Sequence, residues 1–475
     1  MLPHFHLLNF SSHLAVKLKR LAVAGATVLL AVGLIYLLWS RYAAPLAPPA
    51  ETGELVVATL AAPGLFARDE SGVETGADHD LASEFAASLG VKARFIIAAD
   101  AWELMDLVES GQAHMVVSAP LGSGELKFST PVRSVSQWIV GRDDTLGPNE
   151  LSDLAGRRVE VVAGSPLADT LRGLDQQAQP QIIEIPDSDE TRLLTRIAER
   201  NSDLAATHEI SLDLASQFHP ELTRRLRLPG NIEFGWAFAR GNDALRAQAD
   251  AFLAGARKNG LLARIDDRYF GHVERIDANS SLQLIEDIKT RLPALRRHFH
   301  AAQELTGIDW RLIAALAYQE SHWDPLATSP TNVRGIMMLT EDTADHLGVK
   351  NRLDAAESIR AGARYLAELA AQLPASAKPP DRIWLALAAY NLGMGHFRGA
   401  QAIARSMKRD PDNWYEMKKV LPLLSRPDIA ERLKSGPARG GEAVILVENV
   451  HTYYDILSHF EAPHSTPFPR PLMRQ

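Results

Sequence analysis

The sequence predicts an α/β domain followed by a mainly α domain, both behind one N-terminal apolar helix. Three observations carry this. Short β-type runs alternate with helical segments from Glu54 to His272, only helical periodicity remains past the polar stretch Asp277–Ser281, and Leu21–Trp39 is an uncharged apolar run. A chain of 475 residues has room for two or three domains. Its 46% hydrophobic and 23% charged residues are those of an ordinary globular protein. A net charge of −8 offers no basic surface, so no nucleic-acid partner is expected. The absence of cysteine excludes disulfides, thiolate metal sites and a lipid-modified N-terminal Cys, and suits an exported protein that folds without oxidation.

Residues 1–20 form a basic N-terminal segment that ends in Lys17, Lys19 and Arg20, and Arg41 follows the apolar run. At 1.5 Å per residue, residues 21–39 would span roughly 28 Å, close to the hydrocarbon thickness of a bilayer. A cleaved signal peptide usually has an apolar region of about 7–15 residues, and no small-x-small pattern lies between Ser40 and Glu51. An uncleaved transmembrane anchor is expected over a signal, with the N-terminus cytoplasmic and the bulk of the chain exported. Residues 40–53, with Pro45, Pro48 and Pro49, read as an Ala/Pro linker acting as a semi-rigid spacer.

In the α/β region, residues 54–272, LVVATL (Leu55–Leu60) reads as a strand, His79–Gly90 as a helix and Lys92–Ile97 as a strand. Trp102–Gly111 follows as a helix, with strands at His114–Ala119, Ser134–Gly141, Arg158–Gly164, Ile182–Pro186 and Phe234–Arg240. Helices near Glu190–Arg200 and Ala244–Asn259 complete the unit. With the phrases GADHDLASEFAASLG and FSTPV, this order resembles the family 3 solute-binding proteins, which clamp amino acids between two α/β lobes. The resemblance implies a two-lobed solute-binding-protein-like fold, non-catalytic, with either a small ligand or muropeptide as partner or a purely regulatory role. Asp80 matches the family's acidic position, and equally suits a helix cap. Family members carry an Arg shortly before Phe-Ser-x-Pro that grips a carboxylate, and Pro120–Val132 has none.

The second domain, residues 282–460, shows helical patterning at Leu282–Gln303, Asp309–Ser321, Thr340–Leu347, Ala355–Leu373 and Asp381–Leu392; residues 461–475 read as a loose tail. Trp310, Ile313, Ala314, Leu316 and Ala317 form an apolar stripe that Glu320 continues, and Pro325 ends the helix. A carboxyl group there is partly desolvated, which raises its pKa towards the range of a general acid. Three further motifs follow: SPTNVRGIMMLT (Ser329–Thr340), AAYNLGMGH (Ala388–His396) and ARGGEAVILVENVHTYYDIL (Ala438–Leu457). With ESHWDP (Glu320–Pro325) they resemble, in order, the lysozyme-like lytic transglycosylases.

That resemblance implies a lysozyme-like fold acting on peptidoglycan glycan strands, with cleavage of the MurNAc–GlcNAc β-1,4 bond and a 1,6-anhydromuramic end. It implies Glu320 as the catalytic acid and then base, with Ser321, Met338, Tyr390, Asn391 and Tyr453 lining the cleft for substrate. It also implies a periplasm-facing location on the inner face of the outer membrane, whereas the apolar run by itself implies the inner membrane. Met338 stands where the superfamily often has Gln, and Pro437 stands where an aromatic is usual.

The residues support this chemistry on their own terms. Glycosidases commonly pair an acid with a second carboxylate. The candidates here, Asp324, Glu341 and Asp342, read equally well as surface charges or caps, and the residue nine beyond Glu320 is Ser329. A single carboxyl suits capture by the sugar's own C6 hydroxyl. No metal site is expected, since His298 and His300 lie two apart on a helix and no H-E-x-x-H occurs among the 16 histidines. No nucleotide-binding glycine loop follows a strand, so no cofactor is expected either. Two other readings stay open: a hydrolysing muramidase, and a solute sensor whose helical domain is inert.

Overall fold

The computed structural model describes residues 46–464 except 70–71, 123–125, 187, 274–275, 432, 434–435 and 437. The apolar run at 21–39 and the Pro437 position lie outside the described residues. Among those described, no helix is long and apolar enough to cross a membrane. The end of the linker does not behave as a spacer. Leu46 N–H donates to Gly111 O (3.1 Å) and His114 bonds Ala47 O (2.9 Å), while Leu46 packs on the core. Backbone groups that a free linker would leave to water are paired with the first domain.

The α/β domain runs β1 (Glu54–Leu60), α1 (Ala77–Ser88), β2 (Lys92–Ala98), α2 (Ala101–Glu109), β3 (Met115–Pro120) and β4 (Arg133–Arg142). It continues with β5 (Arg158–Val162), α3 (Pro166–Arg172), β6 (Gln181–Ile185), α4 (Glu190–Ala198), β7 (Ala205–His208) and α5 (Glu209–Phe218). The last elements are β8 (Leu222–Phe238), α6 (Asp243–Lys258) and α7 (Leu261–Phe270). The strands form one sheet in the order β2-β1-β3-β8-β4-β7-β5-β6, with the short strand Lys127–Phe128 beside β8. β1 is parallel to β2 and β3, with Val57 level with both Phe95 and Met115. β7, β5 and β6 are parallel at the other end, and β8 runs antiparallel to both β3 and β4.

Two lobes result, each with its own core on both sheet faces, as the resemblance to solute-binding proteins implies. The strand at 234–240 differs from expectation: β8 begins at Leu222 and carries Pro229 and Gly230 in its middle. Register shifts between Arg224 and Leu226 and between Arg227 and Asn231 absorb them, because a bulge tolerates a residue without an N–H. The patterning also misses α3, α5 and α7.

The helical domain comprises α8 (Ala278–Thr290), α9 (Leu292–Thr306), α10 (Trp310–Ser321), α11 (Glu341–Leu347), α12 (Ala355–Ala371), α13 (Asp381–Leu392), α14 (Met394–Ser406), α15 (Trp414–Val420) and α16 (Gly440–Phe460). The single helix expected over 282–303 is two, broken at Arg291, with Pro293 in the first turn of the second. Helix α10 is the centre of this domain. Asp309 caps it through Arg311 N–H (2.9 Å), and every residue from Leu312 to Tyr318 is buried, so it is a core helix, not a one-faced one.

The domains meet along α7. Arg268 bridges Asp80 (2.8 Å) and Asp381 (3.2 Å), and Lys418 bridges Asp267 (2.7 Å) and Glu448 (3.2 Å). Asp80 also accepts from Tyr269 Oη (2.9 Å), so it serves the seam and not a ligand. Arg133, one residue past the stretch lacking Arg, is buried between Asp78 (2.9 Å) and Asp266 (2.8 Å). Asp381 opens α13, the helix whose far end carries Tyr390 and Asn391.

Candidate active site

Helix α10 delivers Glu320 one residue before its end. Two consecutive left-handed residues then stop the helix, His322 (φ 49°) and Trp323 (φ 60°). Such conformations cost about a kcal/mol or more each and persist where packing over-determines them. Here the Trp323 indole turns back and donates Nε1–H to Ala314 O (2.8 Å), and its ring meets Tyr318 edge-on.

The second motif forms a tight loop against that end. Gly335 has φ +83°, and a Cβ there would lie 1.8 Å from Arg352 O, so only glycine fits. The peptide units after it are held from several sides. Ser321 Oγ donates to Ile336 O (2.8 Å), Tyr390 Oη donates to Met337 O (2.9 Å), and Met337 N–H donates to Ser358 Oγ (3.3 Å). Thus Ser321 and Tyr390, read from sequence as substrate contacts, both anchor the loop that presents Met338. Met338 itself is partly buried with φ 44°, and Asn391 is exposed at the end of α13.

Tyr453, the weaker of the cleft candidates, packs in the core. It is 5% exposed and packs edge-on against Tyr318 with centroids 5.0 Å apart, supporting the core behind α10 instead of opening to the cleft. Two residues of the site carry no motif signal: Ser358, a lone Ser inside α12, and Tyr365, whose ring lies 5.4 Å from that of Tyr390. Their roles depend on α12 packing beside the loop, which spacing cannot reveal.

Burial alone pushes the Glu320 carboxyl up to about 8. No ion pair or hydrogen bond to it occurs among the described residues, so the proton is retained at neutral pH and is available for transfer. Its negative form would lie close enough to Tyr390 to help hold that phenol protonated, after the larger effect of burial. Around it, Asp324 closes a turn by accepting from Leu326 N–H (2.9 Å), and Glu341 and Asp342 sit exposed in the first turn of α11. The arrangement is one partly buried acid, a rigid loop and no buried carboxylate beside it among the described residues.

Replacing Tyr390 by Phe leaves Met337 O unpaired. We expect a stability loss of about 1–3 kcal/mol, read as a shift in the urea midpoint, together with reduced turnover. An unchanged midpoint would remove the anchoring role.

Comparison with known proteins places both halves. Residues 297–414 match the family model described as Transglycosylase SLT domain, and residues 55–272 match Bacterial extracellular solute-binding proteins, family 3. The class is therefore a solute-binding-type domain joined to a lytic transglycosylase domain. The membrane-bound lytic murein transglycosylase F of Nitrosospira multiformis is 41% identical over 423 residues, covering 88% of this chain and 88% of that protein. The proteins of the same name from Methylobacillus flagellatus and Thiobacillus denitrificans are each 38% identical, covering 90% and 93% of this chain and 92% and 95% of theirs. The chain belongs to the membrane-bound lytic murein transglycosylase F family.

Proposed function

We propose that this chain cleaves the MurNAc–GlcNAc β-1,4 bond of peptidoglycan without water, in cell-wall turnover. The observation that carries this reading is the desolvated Glu320 carboxyl, with no second carboxylate beside it among the described residues. The acid gives its proton to the glycosidic oxygen as the bond to C1 of MurNAc breaks, leaving an oxocarbenium-like centre. A hydrolase needs a second group to activate water or trap that centre. Here Glu320, now a carboxylate, takes the proton from the C6 hydroxyl of the same sugar, and O6 closes on C1 to give the 1,6-anhydro end. Because Tyr390 directs its proton to Met337 O, its oxygen lone pairs remain free to face developing positive charge. Met338 offers an apolar wall and Asn391 a hydrogen-bonding edge for an N-acetyl group.

Mass spectrometry of peptidoglycan digested by the protein tests this, with Glu320→Gln alongside. Anhydromuramic ends from the wild type alone are expected. Reducing ends would make it a muramidase, and no product from either would favour a sensor with an inert helical domain.

The α/β domain is the regulatory partner in this reading, supported by its ionic seam with α13. A small ligand or muropeptide is proposed for the cleft between its lobes, tested by calorimetric titration with muropeptides; no heat at any of them would count against it. The protein is further proposed to face the periplasm in association with a membrane. Recovery entirely in the soluble fraction of disrupted cells would overturn that, and density separation of the two envelope membranes distinguishes an inner from an outer location.

A further inference from the structure

At the seam between the domains, away from Glu320, three metal-binding side chains converge. His451 and Asp455 stand four residues apart on α16 and so share one face of that helix. His272 closes the α/β domain and is fixed over the same face, because Thr452 Oγ1 donates to His272 O (2.9 Å). Each of the three offers one ligand atom, and these atoms all lie within 4.8 Å of one another. His272 Nε2 is 2.6 Å from Asp455 Oδ2, and the His272 and His451 rings face each other with centroids 3.5 Å apart.

The cluster leaves a buried ring nitrogen without a partner. His272 is 2% exposed, and its Nδ1 is buried with no partner. Native proteins seldom leave such an atom unsatisfied, and an ion or ordered water is the usual reason. Neither ring nitrogen of His451 has a hydrogen-bond partner among the described residues, where the ring packs on His272 and Trp384. Two imidazoles and one carboxylate form a nitrogen–oxygen set suited to zinc or a similar borderline divalent ion. A crevice between the domains, lined by Arg268, Asp381 and Trp384, reaches His451.

We propose that His272, His451 and Asp455 bind one zinc-class divalent cation that clasps the α/β domain to the last helix of the catalytic domain. Entry of the ion replaces the His272–Asp455 hydrogen bond and parts the two stacked rings so that a nitrogen of each turns to the metal, with water completing the shell. Sequence reading looked for ligands near one another in the chain and so passed over a set separated by about 180 residues.

The test uses the full chain stripped with a chelator, exposed to zinc, dialysed and analysed for metal content. One zinc per wild-type chain is expected. Asp455→Asn and His451→Gln should weaken binding by more than the roughly 10–100-fold that outer-sphere partners cost. Zinc should raise the melting temperature of the wild type and not of either variant. A His346→Ala variant, at an exposed histidine of α11, controls for surface histidines and should bind like the wild type. X-ray absorption at the zinc edge guards against misfolded variants, since it reads the wild type directly and should show two imidazoles with oxygen ligands. Absence of stoichiometric zinc in the wild type, equal binding by the Asp455 and His451 variants, loss in the surface control, or a spectrum without imidazole would each overturn the proposal.

Discussion

Glu320→Gln is expected to lower turnover by about 10²–10⁴-fold, the usual contribution of a general acid, and at the same time to make the protein more stable. The two effects share one cause. The fold holds the carboxyl protonated up to about pH 8, whereas the unfolded chain releases that proton near 4.5. Below pH 4.5 both states carry the proton, and Glu and Gln proteins should melt alike. Between 4.5 and 8 the unfolded wild type loses its proton while the folded one keeps it, so wild-type stability falls by up to about 1.4 kcal/mol per pH unit. Above pH 8 the difference levels off at a few kcal/mol in order of magnitude. Melting curves of both proteins across pH 4–9 check this, and a difference independent of pH would show that folding leaves the Glu320 pKa at its ordinary value. Wild-type activity should decline as pH rises through 8, since the acid is then lost.

Gly335→Ala is the second large effect, and it acts without touching any reacting group. The new methyl would meet Arg352 O at 1.8 Å, at a φ of +83° that alanine resists. The left-handed cost and the overpacking together suggest about 2–5 kcal/mol. Turnover should fall as well, because Ile336 O and Met337 O, which orient the ends of α10 and α13, must move with the loop. Gly441→Ala is the control. A Cβ there meets nothing within 4 Å, so unfolding midpoint and rate should stay near the wild type. Equal losses in the two variants would show that the Gly335 contact relaxes freely.

Much of the architecture was legible because hydrophobic period reports which side of an element is buried. The change from alternating strands and helices to helices alone marked two kinds of domain, and the break at Arg291 could have been found from Pro293. The long strand β8 could not, because Pro229 and Gly230 argue against a strand unless the partner strand is known to bulge. The same limit applies to α10. Its apolar stripe announced a helix with Glu320 on the buried side, while its burial all round depends on α16 and α12 closing over it.

For the site, the chain order and residue types of the four motifs were enough to single out Glu320, Ser321, Met338, Tyr390 and Asn391 and the absence of an obvious second carboxylate. These are local properties of residue identity and spacing. Tertiary structure alone decided that Ser321 and Tyr390 grip the Ile336–Met337 backbone, that Ser358 completes the grip, and that Tyr453 supports Tyr318 from behind. It also decided that Asp80 and Arg133 are spent on ion pairs and that His272 meets His451 and Asp455. Hydrogen bonds, desolvation and ion pairing act over a few ångströms, between residues that lie tens to nearly two hundred positions apart. Local patterning records how each segment folds, and the partners it meets are set only when the segments pack.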